Sequence, residues 1–186
     1  MSSGRTENEV TVLLSALDDT LQSWHRNVRN GHVKLLKDDE VQSTTIEVKA
    51  ENVSTCYLMS PASHGQNLNI KHPFLCLVVK NLEEDFLFDV HVLDDTNSKR
   101  RFRASTLQCV TKVQPFICTM PLKLDKGWNL ISLNLREYTR HAFRHEYKEL
   151  LGIQIHANCR IRSVYVTSRQ LQSEELPAEV QIPASQ

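Results

Sequence analysis

The densest run of chemically active side chains is Lys99-Arg100-Arg101-Phe102-Arg103. Extended backbone would place Lys99, Arg101 and Arg103 on one face and Arg100 with Phe102 on the other. Arg160 and Arg162 share the face of a second such run. Guanidinium groups displayed on a sheet make forked bonds to carboxylates and phosphates. Lys99, Arg101, Arg103, Arg160 and Arg162 are therefore the residues read as gripping an acidic partner. The competing reading is a solvated face neutralised by the chain's own Asp and Glu, which number 22 against 22 Lys and Arg.

Other reactive residue types lack the spacing that chemistry needs. His141 and His145 stand four apart, and His156 and Cys159 three apart. Neither pair has a companion pair, so no structural zinc site is expected. No G-x-S-x-G elbow is present. Carboxylates cluster only as runs, Asp38-Asp39-Glu40, Glu83-Glu84-Asp85 and Glu174-Glu175. Adjacent carboxylates diverge, so these runs read as solubilising. The 5 glycines are too scattered to build a phosphate-cradling loop. No catalysis, cofactor, metal or small-molecule substrate is expected. Trp24 and Trp128 are the only tryptophans. Trp128 reads as a core residue rather than a sugar-stacking platform.

The bulk properties narrow the class. A chain of 186 residues is one domain with tails and buries roughly 70% of its unfolded surface without staples. The zero net charge excludes a chain-wide polycation for nucleic acid or membrane. No apolar stretch approaches the ~18 residues of a membrane span. The 5 cysteines are odd in number and lack C-x-x-C spacing. Together with a polar, acidic start they point to reduced thiols in a cytoplasmic protein.

The elements that must position these residues are mostly strands. Period-two or continuous apolar runs cover 41–48, 53–59, 73–79, 86–92, 99–104, 116–120, 128–135, 153–155 and 161–166. Asn30-Gly31, Asp94 to Ser98 and Asp125 to Gly127 read as turns. Pro115 and Pro121 mark the 116–120 run as an edge. The 86–92 run reads as half-exposed, with Asp89 and His91 outward. Residues 136–148 predict one internal helix carrying Phe143, Tyr147, Leu150 and Leu151 on one face. Val10, Leu13, Leu14, Leu17, Leu21 and Trp24 predict a helix over 7–23, with Thr6 and Glu9 as its capping box. The pattern gives a mainly β, jelly-roll-type antiparallel sandwich. Its parts are an N-terminal arm over 1–23, the sandwich over 24–167, and a surface-running tail over 168–186. The expected core is Phe74, Leu75, Phe86, Phe88, Val90, Ile131, Leu133 and Ile155.

Several longer peptides carry a resemblance. They include Val28 to His32, Asn52 to Thr55, Arg100 to Ser105, Lys112 to Pro121, Gly127-Trp128-Asn129, Gln154 to Arg162 and Glu175 to Glu179. Over about residues 24–180 the sequence resembles the cilia- and flagella-associated protein twenty family. The stretch Leu17 to Trp24 departs from the family pattern in lacking Gly and Pro. The loop Ser60 to Asn67 and the tail after Val180 also differ. The chain thus reads as a diverged paralogue or a distant orthologue. The resemblance implies a jelly-roll sandwich without catalysis. It also implies a place in the cytoskeleton of the cilium or flagellum, along the axoneme and at the basal body or centriole. The implied partners are tubulin and neighbouring proteins at the inner junction of doublet microtubules. A glycan-binding module and a nucleic-acid-associated regulator are the rival classes.

Overall fold

The structure, a computed structural model, describes residues 8–182. In chain order its strands are β1 (Val10–Ser15), β2 (His25–Asn27), β3 (Gly31–Asp38), β4 (Ser43–Ala50), β5 (Tyr57–Ser60), β6 (Phe74–Asn81) and β7 (Leu87–Asp94). They continue as β8 (Lys99–Ser105), β9 (Lys112–Val113), β10 (Ile117–Pro121), β11 (Gly127–Asn134), β12 (Tyr147–His156) and β13 (Cys159–Thr167). One α-helix, α1 (Leu135–Phe143), joins β11 to β12. Two short 3-10 turns lie at Thr20–Ser23 and Ser173–Glu175.

The strands form two stacked sheets. A six-stranded sheet runs β11-β6-β13-β4-β3, with β1 paired to β13. A seven-stranded sheet runs β2-β5-β12-β7-β8-β10-β9. Every pair is antiparallel except β8 with β10. Alternation selects the inner residues. Ile46, Val48, Leu77, Val79, Ile161 and Val164 from one sheet meet Leu58, Val90, Phe102, Ile153 and Ile155 from the other. Phe86, Phe88 and Phe102 are each about 1% exposed. Burial of such a side chain is worth roughly 2 kcal/mol. No helix of the described residues is long and apolar enough to cross a membrane.

The expected sandwich is found, with several corrections. Of the helix expected over 7–23, the described residues from 8 to 23 form no α-helix. The arm enters the six-stranded sheet as β1, and Leu14 and Trp24 are buried there. Thr6 of the expected capping box lies outside the described residues. The internal helix stops at Phe143, because Arg144 turns the chain at φ 61°. Tyr147, Leu150 and Leu151 belong to β12 instead. β10 is not outermost, since the two-residue β9 flanks it. Phe74 points away from the core and lines an outer groove. The tail does not merely run over the surface. Val180 is fully buried and covers Cys76, Val78 and Tyr165 on the outer face of the six-stranded sheet.

Candidate functional site

The five cations split between opposite sides of the sandwich. Lys99, Arg101 and Arg103 share the outer face of β8, because their neighbour Phe102 occupies the core. Arg160 lies on the outer face of β13, opposite in parity to buried Ile161. No single flat partner surface can therefore meet all five at once.

Within each group the side chains differ in what they already hold. Arg103 sits directly across from Asp89, and its Nε and Nη2 each donate to that carboxylate at 2.8 Å. Asp89, expected to be exposed, is 1% exposed because the arginine covers it. Donating to the Asp89 carboxylate raises the Arg103 pKa further. Arg100 is likewise committed. Its Nε donates to Asp94 at 2.8 Å, and its guanidinium lies over Phe116 and Phe143. Among the described residues, Lys99 and Arg101 make no ion pair. These two are the cations of β8 left to attract another molecule.

On the other side a row of charges crosses the six-stranded sheet. Trp128, Lys80, Arg160, Glu47 and Lys34 stand opposite one another in register on β11, β6, β13, β4 and β3. Asp38, at the end of β3, is fully buried beneath this row. Its Oδ2 accepts from Lys80 Nζ at 3.0 Å and Arg160 Nη1 at 2.6 Å. Its Oδ1 accepts from the backbone of Glu40 and Val41 and from Trp128 Nε1. Burial alone would raise the Asp38 carboxyl, but the hydrogen bonds from Lys80 and Arg160 outweigh it. The group is held down at about 2. Arg160 also donates to Glu47 at 3.0 Å, and Glu47 meets His32 at 2.6 Å. Arg160 is thus an internal tie.

Arg162 is 5% exposed, and its Nη1 donates to Ser43 Oγ. Its Nε has no partner, and burial lowers the guanidinium pKa. So deep a side chain presents little charge outward.

The other expected groups are placed as follows. His141 lies on α1 but His145 lies beyond its end, so they share no helical face. His145 instead approaches Asp95 at 3.3 Å. Asp94, Asp95 and His145 bring ligand-type atoms within 4.8 Å of one another. The Asp94 oxygens are already taken by Thr96, Ser98 and Arg100, which hold its carboxyl at about 2 against its burial. His156 is buried between its ring contact with Tyr57 at 5.1 Å and the Val53 carbonyl at 2.7 Å. Burial pushes the thiols of Cys56, Cys76, Cys118 and Cys159 upward, the reverse of an activated nucleophile. Trp128 is half-buried on the outer face rather than in the sandwich core.

Sequence reasoning missed Asp38, which it read as part of a solubilising run. Its partners Lys80 and Arg160 lie 42 and 122 positions away, so no local spacing marks it.

Residues 3–184 match the CFA20 domain. The chain belongs to the CFA20 domain family. It is 49% identical over 173 residues to "Cilia- and flagella-associated protein 20" of Chlamydomonas reinhardtii, covering 93% of this chain and 91% of that protein. The protein of the same name from Caenorhabditis elegans is 46% identical over 173 residues, covering 93% and 85%. Among solved structures, a family 11 carbohydrate-binding module of Clostridium thermocellum is similar at 10% identity and a TM-score of 0.43. That likeness covers 86% of this chain and 95% of the module.

Proposed function

We propose that this protein is a non-catalytic structural component of cilia and flagella that binds tubulin at the inner junction of axonemal doublet microtubules. The cilium and flagellum association follows from the relatives' names and from family membership across nearly the whole chain. A junction component needs a stiff body, and two sheets closed over one continuous core supply that.

The observation that carries the adhesive part is the contrast on β8. Arg100 and Arg103 are consumed internally, while Lys99 and Arg101 face outward without a carboxylate partner. Tubulin presents an acidic surface to such cations. Each exposed pair gives only about 0–1 kcal/mol, so useful affinity needs many contacts repeated along a lattice. Arg103 holds the β8 face that carries these contacts, while Arg160 and Arg162 tie the opposite sheet.

The test is co-sedimentation of the purified chain with microtubules across a salt series, beside Lys99→Glu/Arg101→Glu. Weaker, salt-sensitive binding by the double variant is expected. Unchanged binding removes β8 from the interface. A tagged copy that never coincides with an axonemal marker overturns the whole reading.

A further inference from the structure

The five strands at the sheet margins are not alike. β1, paired only to β13, is six residues long and is broken by a register slip between Val12 and Leu14, a kink that disfavours further pairing. β2 and β9 are three and two residues long, too short to template another strand. β3 carries Lys34 and Lys37 along its length, the usual protection against edge-to-edge pairing. β11 has none of these defences. It is eight residues long, pairs residue for residue with β6 on one side, and contains no charged side chain from Gly127 to Asn134. From Trp128 to Ser132, the backbone groups turned away from β6 meet no partner among the described residues. Leu130 is 51% exposed and Ser132 is also exposed.

Grooves flank this margin on both faces. On the outer face Cys76, Val78, Leu130, Tyr165 and Leu176 line one of about 370 Å³. On the inner side Met120, Leu122, Ile131, Leu133 and Tyr138 line another of about 380 Å³. An added strand points alternate side chains to opposite faces, so it would fill both. Free peptide groups in strand spacing are a ready template for another extended chain.

We propose that β11 is a self-association edge, where a second copy of this chain pairs antiparallel through its own β11. The isologous pairing brings the same uncharged strand to both sides, so no like charges oppose one another. The equivalent pairing of β3 would bring the like charges of Lys34 and Lys37 to both sides of the seam. Same-face residues stay together across the two-fold axis, so the outer-face Leu130 of each copy packs beside the other's β11. Two six-stranded sheets then continue edge to edge.

Sedimentation equilibrium of the full chain over a concentration series tests this without microtubules. The wild type is expected to dimerise with rising concentration. Leu130→Lys/Ser132→Lys places charge on two exposed positions of the edge. It should weaken the dimer by about tenfold or more through opposed like charges, with an unchanged melting temperature at dilutions where both chains are monomeric. Leu35→Lys, on β3, should leave the dimer intact. A chain that stays monomeric at all soluble concentrations overturns the proposal, including one that captures only foreign peptides at this edge. So does a dimer lost with Leu35→Lys and kept with the β11 double variant.

Discussion

Arg103 and Asp89 face each other across β7 and β8 with both guanidinium nitrogens bonded to the carboxylate at 2.8 Å. The arginine stays one-third exposed while its partner is nearly sealed. Asp89 is therefore a buried charge whose only ionic compensation among the described residues is Arg103, and this decides how the β8 cations must be tested.

Arg103→Ala is expected to destabilise the fold by about 3 kcal/mol, because it strands the Asp89 carboxylate. Lys99→Glu and Arg101→Glu should each shift stability by less than about 0.5 kcal/mol. Urea denaturation measures both. If Arg103→Ala unfolds at the wild-type midpoint, the pair is ornamental and Arg103 returns to the list of free binding cations.

Asp38 has the opposite balance, one carboxylate between two cations. Asp38→Ala removes the buried carboxylate shared by Lys80 and Arg160, leaving them Glu40 and Glu47 as ionic partners, and frees the backbone N–H groups of Glu40 and Val41. A loss of about 4 kcal/mol is expected. Asp38→Asn keeps the turn contacts and should lose less. Equal losses for the two variants would mean that the turn, not the charge, matters.

These two carboxylates show where sequence stops being legible. Alternation along β7 correctly put Asp89 on the outer face, yet its burial depends on Arg103, 14 positions away. The strands themselves were readable where alternation ran unbroken, as in β7, and where an apolar run was continuous, as in β6. Alternation failed where strands bulge. β1 slips register between Val12 and Leu14, and β12 slips between Tyr147 and Glu149 and again between Leu150 and Gly152. An extra residue in a strand turns a spacing of two into three or four. Val10, Leu13, Leu14 and Phe143, Tyr147, Leu150 thus counterfeit a helical stripe. The β8 cations were legible as a cluster, whereas their division into paired and unpaired members needed the neighbouring strands.

Acid should unfold the protein in two stages. Burial pushes His91 and His156 below the ordinary histidine value of 6.5, so both fold in the neutral form. Their contribution is complete above that value and is lost as pH falls through the window just below it. Asp38 and Asp94 sit at about 2 instead of 3.8. Their contribution is present above about pH 4 and disappears as pH falls towards 2, at roughly 2 kcal/mol each. Melting temperatures from neutral pH to about pH 3 should show both limbs. His156→Gln should flatten the upper limb and Asp38→Asn the lower one. A single limb unaffected by His156→Gln would refute the histidine assignment.

The C-terminal strap can be read through a thiol. Val180 is fully buried against Cys76, Val78 and Tyr165, and its carbonyl accepts from Ser163 Oγ at 3.1 Å. Val180→Ala should cost about 1–2 kcal/mol by leaving a cavity. Val180→Asp should lift the strap by forcing an unpaired charge under it. Cys76 lies on the outer face beneath the strap, whereas Cys159 lies inside the sandwich core. Alkylation followed by mass spectrometry should then find Cys109 labelled at once in every variant, since it is already exposed. Cys76 should label faster in Val180→Asp than in the wild type, with Cys159 protected in both. Equal labelling of Cys76 and Cys159 would mean that the substitution unfolds the whole sandwich. An unchanged Cys76 rate would mean that the strap does not seal that face.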